Sequence, residues 1–270
     1  MEGIQGKPLA VVTGASSGIG FELAKIFGEE GFDLVVAAED EELDRAAAEL
    51  RSTGVAVAAH RVDLATEAGV IELYRRVGAD GRPVDAIAFN AGRGAGGAFA
   101  TETALEDELE IVDLNVRSTV HLSKLLLAEM VARGSGRVLY TSSIAATMPG
   151  SFQAVYNASK SFVQSFALAL RNELKDSGVT VTSLMPGPTE TEFFEVAEMG
   201  DTKVGADEKD DPAQVARQGY EALMAGEERV VAGSWKNKAQ VAAGKVMPDS
   251  VKAEMHRKMA EPGSAEEDGS

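Results

Sequence analysis

Short apolar runs alternate with helix-length amphipathic segments along most of this sequence. The first run, residues 9–12, is followed by Ile19, Leu23, Ile26 and Phe27, which recur at helical spacing. Strands joined by helices form βαβ units, and consecutive units build a parallel sheet with helices on both faces. The alternation therefore predicts an α/β fold, a three-layer doubly wound domain with a mostly parallel sheet of about seven strands.

The predicted elements follow one another in a regular order. Strands are expected at residues 9–12, 33–38, 55–62, 84–89, 137–141, 180–185 and 229–232. After the first helix, further helices are expected at residues 41–53, 66–79, 105–133, 153–177 and 212–226. No linker or repeat divides the chain, so we expect one domain over residues 1–260 and a disordered acidic tail at residues 261–270.

Composition narrows the partners and the compartment. The formal net charge of −17 argues against a nucleic-acid partner, because a polyanion would be repelled. No apolar run approaches the ~18 residues of a membrane span, so no membrane partner is expected. The sequence has no cysteine and no secretory signal pattern, which favours a cytoplasmic protein. His60, His121 and His256 lack metal-ligand spacing, so no metal site is expected.

A glycine-rich stretch, TGASSGIG, directly follows the first predicted strand and opens the first helix. In dinucleotide-binding loops the glycines permit a tight turn, close approach of a pyrophosphate and close packing of helix on strand. The helix N-terminus then offers free N–H groups to the phosphates, and nearby hydroxyls add donors. From this loop we expect cofactor contacts by Gly14, Ser16, Ser17, Gly18, Ile19 and Gly20.

A tyrosine and a lysine lie one helical turn apart in the stretch VYNASK. Tyr156 and Lys160 fall in a predicted helix, so their side chains share one face and lie within reach of each other. A phenol beside an ammonium suggests acid–base chemistry, although this pair taken alone is a weak signal.

Together these features resemble the short-chain dehydrogenase/reductase family over about residues 8–190. The matching motifs are TGASSGIG, Asn90-Ala91-Gly92, Asn115, Ser143, Tyr156-x-x-x-Lys160 and Pro186-Gly187. The resemblance implies a Rossmann-type oxidoreductase that transfers a hydride between a nicotinamide cofactor and a small alcohol, ketone or aldehyde. It also implies a homodimer or homotetramer.

The resemblance assigns a role to each catalytic candidate. Tyr156 would be the general acid/base, Lys160 would lower its pKa and hold the nicotinamide ribose, and Ser143 would bind the substrate oxygen. Asn115 would hold a water in a proton relay to Lys160. The further cofactor contacts implied are Glu39, Asp63, Leu64, Asn90, Ala91, Gly92, Tyr156, Lys160, Pro186, Gly187 and Thr189.

Simple electrostatics gives a size for the effect of Lys160. An ammonium ~4 Å from a phenolate contributes on the order of 4 kcal/mol at an effective dielectric of ~20. One pKa unit corresponds to ~1.4 kcal/mol. With help from a nicotinamide cation, Lys160 is therefore expected to lower the pKa of Tyr156 by about three units, which brings it near the working pH.

The residues after the second predicted strand bear on the choice of coenzyme. The strand runs into Glu39-Asp40-Glu41-Glu42 without a basic residue, and Ser17 occupies a loop position where phosphate-binding relatives often carry Arg. Carboxylates repel a 2′-phosphate and accept hydrogen bonds from a 2′-hydroxyl. NAD(H) is therefore favoured, with NADP(H) left open. Ala38 replaces the Asp of many NAD-using relatives, so Glu39 would serve from the next position.

Two other classes stay open at this point. The first is a catalytically silent regulatory or scaffold protein that binds nucleotide with the same fold, and the second is a lyase or epimerase. Substrate specificity is expected in residues 93–100, 144–153 and 190–211, the last of which breaks the strand–helix pattern and is predicted to be a lid. Candidate apolar pocket residues are Met148, Phe152, Met185, Phe193 and Phe194.

Overall fold

A seven-stranded parallel sheet forms the centre of the molecule. The structure is a computed structural model, which describes residues 6–79, 81–197, 199–244 and 246–265. The strand order is β3-β2-β1-β4-β5-β6-β7, and every pair is parallel. The strands are β1 (Leu9–Thr13), β2 (Asp33–Ala38), β3 (Val57–Arg61), β4 (Ala86–Phe89), β5 (Gly136–Thr141), β6 (Val179–Pro186) and β7 (Arg229–Ala232). The predicted doubly wound fold is confirmed.

Helices cover both faces of the sheet. They are α1 (Gly18–Glu29), α2 (Glu42–Arg51), α3 (Glu67–Val77), α4 (Leu105–Ile111), α5 (Thr119–Arg133), α6 (Ala154–Glu173), α7 (Phe193–Val196), α8 (Lys203–Ala206), α9 (Pro212–Ala225), α10 (Trp235–Gly244) and α11 (Asp249–Ala260). The helix expected over 105–133 is continuous but not uniform, because a π-helical segment, Val112–Ser118, joins α4 to α5. Among the described residues, no helix combines the length and hydrophobicity that crossing a bilayer requires.

The core lies in two layers, one on each face of the sheet. On one face α1 and α9 pack together, and the ring of Phe27 meets those of Phe32 and Tyr220 edge-on, each at 5.2 Å between centroids. On the other face the buried side chains of α3, α5 and α6 include Leu73 and Leu126. Strands buried on both faces explain why their sequences are almost wholly apolar.

The strand order places a crevice at one edge of the sheet. After β3 the chain returns to the other side of β1, so β1 and β4 diverge into helices on opposite faces. Open α/β sheets bind ligands at such a switch point, outside the carboxyl ends of the strands. The loops after β1, β4, β5 and β6 all reach this edge.

The segment after β6 and the C-terminal helices form a small additional core. Residues 190–211 contain the short helices α7 and α8, and Phe194, Met199 and Ala260 are buried against one another. Of the predicted tail, the Gly263 and Ala265 N–H groups donate to Asp201 at 2.9 and 3.1 Å. Residues 266–270 lie outside the described residues, and the division of the chain at residue 260 stays a prediction.

Replacing Phe27 with Ala tests the contact between α1 and α9. Phe27 is fully buried between two aromatic rings, so the truncation leaves a cavity and should lower the free energy of unfolding by about 3–5 kcal/mol. Phe99→Ala is the matched control, because Phe99 is exposed and its loss should change stability by less than about 0.5 kcal/mol. Urea unfolding followed by circular dichroism measures both. Equal effects of the two substitutions would contradict this packing.

Candidate active site

A deep pocket lies in the crevice at the carboxyl edge of the sheet. One end is formed by the glycine loop after β1, and the other by α7 together with residues of α10 and α11. Ser143, Tyr156 and Lys160 lie between the two ends, and all three line the pocket. The structure thus brings the predicted loop and three of the four predicted catalytic residues to one cavity, whereas Asn115 is not part of its lining.

The glycine loop turns tightly at the N-terminus of α1. Gly14 has a φ of +65°, and a Cβ there would stand 2.8 Å from the Cα of Ala91. The Thr13 hydroxyl accepts hydrogen bonds from the N–H groups of Asn90 and Ala91 at 3.0 and 3.1 Å, and the Asn90 amide donates to the Gly14 carbonyl at 3.2 Å. These contacts fix the loop against the end of β4. The side chain of Ser17, the N-cap residue of α1, makes no capping bond.

Acidic side chains gather at the glycine-loop end of the pocket. The Ser16 hydroxyl donates to one carboxylate oxygen of Asp40 at 2.8 Å, whereas the other oxygen, Oδ1, is buried without a hydrogen-bond partner in the described structure. Burial raises the pKa of Glu39, and the Asp63 carboxylate adds to this effect. A buried carboxylate oxygen that accepts no hydrogen bond destabilises the folded protein unless a ligand supplies a donor.

Arg93 lies close enough to these acids for its charge to act on Glu39, and it opens the loop 93–100 that was expected to set specificity. Its charge lowers the pKa of Glu39, against the effect of burial. The guanidinium is already paired with Asp107 at 3.2 Å and with Glu110. The acidic character of this end of the pocket is therefore retained.

Lys160 is buried and held by the end of β5. Its ammonium donates to the carbonyl oxygen of Thr141 at 3.0 Å, and it lies 5.8 Å from the centre of the Tyr156 ring. The hydroxyl of Ser142 donates to the backbone carbonyl of Lys160 at 2.9 Å, so this serine ties α6 to β5. The next residue, Ser143, lies beside the Tyr156 phenol and accepts a hydrogen bond from the Ala145 N–H at 3.1 Å.

In the protein chain without cofactor, burial opposes the expected acidification of Tyr156 by Lys160, and the lowered pKa expected beside a nicotinamide cation stays a prediction. Burial raises the pKa of Tyr156 to about 12, although Ser143 opposes the rise through a side-chain hydrogen bond. Burial also lowers the pKa of Lys160 to about 8. Both shifts have one cause, since a poorly solvated site disfavours each charged form. The simple estimate omitted this desolvation.

Asn115 occupies the π-helical segment that joins α4 to α5. Its side-chain oxygen accepts from the Arg93 N–H at 3.0 Å, and its amide donates to the Arg93 carbonyl and the Ser159 hydroxyl, both at 2.9 Å. A Cβ on Gly92 would approach both the Asn115 oxygen and the Lys160 nitrogen. Asn115 therefore lies next to Lys160 but is bonded to the protein, and its relay role stays a prediction.

Most of the predicted cofactor residues line the pocket, and two do not. The lining includes Gly14, Ser16, Ser17, Gly18, Ile19, Glu39, Leu64, Asn90, Ala91, Gly92, Pro186, Gly187 and Thr189. Gly20 instead packs beneath the loop, where a Cβ would collide with the Gly14 carbonyl. The Asp63 carboxylate accepts from the Ala65 N–H at 2.8 Å, in a turn that precedes α3. Thr189 donates to the Gly187 carbonyl at 2.9 Å.

Several pocket residues escaped the sequence interpretation. Of the apolar candidates, Met148, Phe193 and Phe194 line the pocket, whereas Phe152 and Met185 are not part of its lining. The structure adds Asp40, Arg93, Gln153, Gln240, His256 and Met259. Asp40 had a local signal in its place after β2, and Arg93 and Gln153 lie within the loops 93–100 and 144–153 that were expected to set specificity. The residues of α10 and α11 come from distant sequence, and no pattern links them to this edge.

Comparison with known proteins identifies the family. The model of the short chain dehydrogenase family matches residues 8–201, and the chain belongs to this family. A protein of Streptomyces coelicolor named as a ketoacyl reductase is 38% identical over 194 residues, which cover 69% of this chain and 72% of that protein. This chain is therefore an NAD(P)-dependent oxidoreductase that acts on CH–OH or C=O groups.

Solved structures agree on the fold. A short-chain dehydrogenase from Sphingobium yanoikuyae in complex with NADPH matches with a TM-score of 0.77 and 30% identity, over 83% of this chain and 87% of that one. A short-chain dehydrogenase/reductase from Burkholderia phymatum in complex with NAD matches with a TM-score of 0.80 and 24% identity, over 95% and 97%. The second match shows that the fold extends over the C-terminal helices.

Replacing Lys160 with Met tests whether this site is strained by burial. The folded-state pKa of Lys160, about 8, lies below the ordinary 10.5, so unfolding takes up a proton between these values and wild-type stability rises with pH there. The variant should be more stable than wild type at neutral pH, by about 2 kcal/mol after loss of the Thr141 hydrogen bond. This advantage should shrink as the pH rises through that window.

Urea unfolding at a series of pH values measures the difference. Lys124→Met is the matched control, since Lys124 is exposed on α5, and its stability should follow that of wild type throughout. A Lys160→Met variant that is less stable than wild type at every pH would contradict the strain.

Proposed function

We propose that this protein transfers a hydride between a bound nicotinamide cofactor and an alcohol or carbonyl carbon, with Tyr156 as the general acid/base. The observation that carries the proposal is the convergence of Ser143, Tyr156 and Lys160 in the pocket that also contains the glycine loop. The proton donor Tyr156, the oxygen-binding hydroxyl of Ser143 and the glycine loop for the dinucleotide then share one pocket. Reduction of a carbonyl requires this arrangement.

The residues present fit a nicotinamide dinucleotide. The loop around Gly14 has no room for a Cβ, so the backbone can approach a pyrophosphate, and the uncapped N-terminus of α1 supplies N–H donors. The partnerless oxygen of Asp40 can accept from a ribose hydroxyl. Lys160 can reach a second ribose from its place beside Gly92. When bound, such a cofactor supplies or accepts the hydride.

The protein's own groups handle the proton and the oxygen. Because burial raises the pKa of Tyr156 to about 12, the phenol carries its proton at neutral pH and can donate it to a carbonyl oxygen. The Ser143 hydroxyl, beside that phenol, can bind the same oxygen as negative charge develops on it. In the reverse direction the phenol must first lose its proton. Alcohol oxidation should therefore gain from a rising pH, and carbonyl reduction should not.

A catalytically silent nucleotide-binding protein is the less favoured alternative. Such a protein needs the cradle but has no use for a buried lysine or for a tyrosine facing the pocket. Burying the Lys160 ammonium costs stability, and a purely structural site would favour an apolar side chain there. The presence of a buried lysine at this position, despite its effect on stability, supports a role of Lys160 in catalysis.

Tyr156→Phe tests the acid/base assignment. Loss of the phenolic hydroxyl should lower kcat by about a hundred- to ten-thousandfold, because no other side chain supplies the proton. Binding of NADH, followed by fluorescence, should stay within about twofold of wild type. Tyr74→Phe is the control, because Tyr74 bonds to Glu129 far from the pocket. Full activity of Tyr156→Phe with a panel of ketones and aldehydes would refute the assignment.

We also propose that NAD(H) is the preferred coenzyme. Glu39 and Asp40 both line the adenosine end of the pocket, and Asp40 holds an oxygen without a partner. A 2′-phosphate would lie against these carboxylates, and Arg93 is already neutralised by Asp107 and Glu110. Asp40 supports the preference more strongly than Glu39, the residue proposed from the sequence. The Glu39 side chain is exposed, whereas the Asp40 carboxylate is positioned by a hydrogen bond from Ser16.

Steady-state kinetics with the two coenzymes test this preference. We expect kcat/KM with NADH to exceed that with NADPH by at least about tenfold, because repulsion from a close carboxylate exceeds ~1.4 kcal/mol. Asp40→Asn removes one negative charge and should narrow the ratio, whereas Asp44→Asn, on the exposed side of α2, should leave it unchanged. A tenfold preference for NADPH in the wild type would overturn the assignment.

Residues 190–211 are proposed to act as a lid over the pocket. The Ser17 hydroxyl donates to the Glu192 carboxylate at 3.0 Å, and a Cβ on Gly18 would touch the Thr191 side chain. The segment therefore rests on the glycine loop itself. Because this contact lies at the glycine loop, where the pyrophosphate is proposed to bind, we expect the segment to move when a dinucleotide enters.

A homodimer or homotetramer is proposed on the basis of exposed apolar side chains. Leu105 and Leu109 on α4 and Phe162 on α6 are exposed large hydrophobic residues. They lie on the helical segments predicted over residues 105–133 and 153–177. Apolar residues clustered on a helix surface favour burial against a second copy.

A further inference from the structure

The part of the pocket beyond Tyr156 is uncharged in the described structure. The charged side chains of the lining are Glu39, Asp40, Arg93, Lys160 and Glu192, and each is at the glycine loop or the catalytic centre. Beyond Tyr156, whose ring packs against Phe193 at 5.0 Å, the lining is apolar apart from two amides and an imidazole. These lining residues are Met148, Gln153, Phe193, Phe194, Val196, Val204, Gln240, His256 and Met259.

His256 presents a hydrogen-bond acceptor in this apolar region. Its Nδ1 lies 2.9 Å from the carbonyl oxygen of Ser151, and a carbonyl only accepts, so Nδ1 carries the proton. Nε2 then carries a lone pair, and the Ser151 carbonyl is the hydrogen-bond partner that the described residues give to the ring. Burial lowers the pKa of His256, which favours this neutral form.

The imidazole is fixed by several contacts between α11 and the loop after β5. The Ser151 hydroxyl donates to the Ala253 carbonyl at 3.1 Å, and the Lys252 ammonium donates to the Thr147 carbonyl at 3.3 Å. These bonds flank His256 on its own helix and hold α11 against the wall of the pocket. An acceptor held in this way costs little further ordering when a ligand binds.

We propose that His256 forms a substrate subsite, and that the substrate is a neutral carbonyl or alcohol with an apolar chain and a hydrogen-bond donor, such as a hydroxyl, at its far end. The inference rests on the proposed function and names the substrate class of the same site. The reacting carbon lies at Tyr156, the chain lies along the apolar lining, and the donor binds Nε2 of His256.

The same lining disfavours substrates that end in a carboxylate. A buried carboxylate needs a cation or several N–H donors to replace its hydration. Lys160 donates to Thr141 at the catalytic centre, and Arg93 is bound by Asp107 and Glu110 at the other end of the pocket. The Lys209 ammonium lies 5.0 Å from the centre of the Phe194 ring, but it donates to the Gly205 carbonyl and is not part of the lining. A neutral imidazole with its proton on Nδ1 would present a lone pair to the anion.

A matched series of straight-chain methyl ketones tests the subsite. The ketones share a chain length and end in a methyl, a primary hydroxyl or a carboxylate, and the series is repeated at several lengths. With wild-type enzyme and NADH or NADPH, kcat/KM should be about tenfold higher for the best hydroxyl-ended ketone than for its methyl-ended counterpart. The carboxylate-ended ketone should be the poorest of the three.

Two substitutions separate the subsite from the support that His256 gives to the fold. His256→Asn keeps a donor for the Ser151 carbonyl but removes the acceptor at Nε2, so the ratio of kcat/KM for the hydroxyl-ended ketone to that for the methyl-ended ketone should fall from about ten to about one. His121→Asn, on α5 outside the pocket lining, is the control and should keep the preference. Thermal unfolding verifies that each variant folds.

Calorimetry provides a readout that does not depend on turnover. Binding of the corresponding alcohols to the protein with reduced cofactor should show the same hydroxyl preference, lost in His256→Asn. An unchanged preference in that variant, a carboxylate preference in wild type, or no binding of any ligand would overturn the subsite. Binding with the hydroxyl preference but without any turnover would instead contradict the proposed reaction and leave the subsite standing.

Discussion

The hydrogen bond from the Lys160 ammonium to the Thr141 carbonyl, 3.0 Å long, is the contact on which the active site depends. Together with the bond from Ser142 to the Lys160 carbonyl, it fastens α6 to the end of β5. Because Ser143 lies two residues after the end of β5 and Tyr156 lies one turn before Lys160 on α6, fixing this junction fixes both side chains. The fold thus delivers the reacting groups through two neighbouring elements.

Holding Lys160 at this junction buries its ammonium group, which is energetically unfavourable. Desolvation lowers the pKa of Lys160 and raises that of Tyr156. Burial therefore disfavours the ion pair between a Tyr156 phenolate and the Lys160 ammonium, which Coulomb attraction alone would favour. A site that holds a cation in poor solvent gives up stability to keep a group ready for the ligand. In the chain without cofactor the phenol is thus less acidic than a free tyrosine.

The sequence was informative where local pattern decides the outcome. Periodicity was enough for the seven strands and the long helices, and residue order within the motifs placed Ser143, Tyr156 and Lys160 in one pocket. It failed where distant segments meet. His256 reaches the pocket only because α11 folds back on the loop after β5, and Arg93 meets acids from β2 and α4. The pKa shifts depend on burial, which no single segment encodes.

The number of residues in the π-helical segment determines how α5 is rotated about its own axis relative to α4. An α-helix advances by ~100° for each residue, and a π turn accommodates one residue more than an α turn. The extra residue rotates α5 about its axis relative to α4, and Asn115 lies within the segment that joins the two helices. Insertions or deletions between residues 112 and 118 would re-phase every buried position of α5 at once. Point changes there are local by comparison, so the spacing of this stretch constrains its evolution more strongly than its composition.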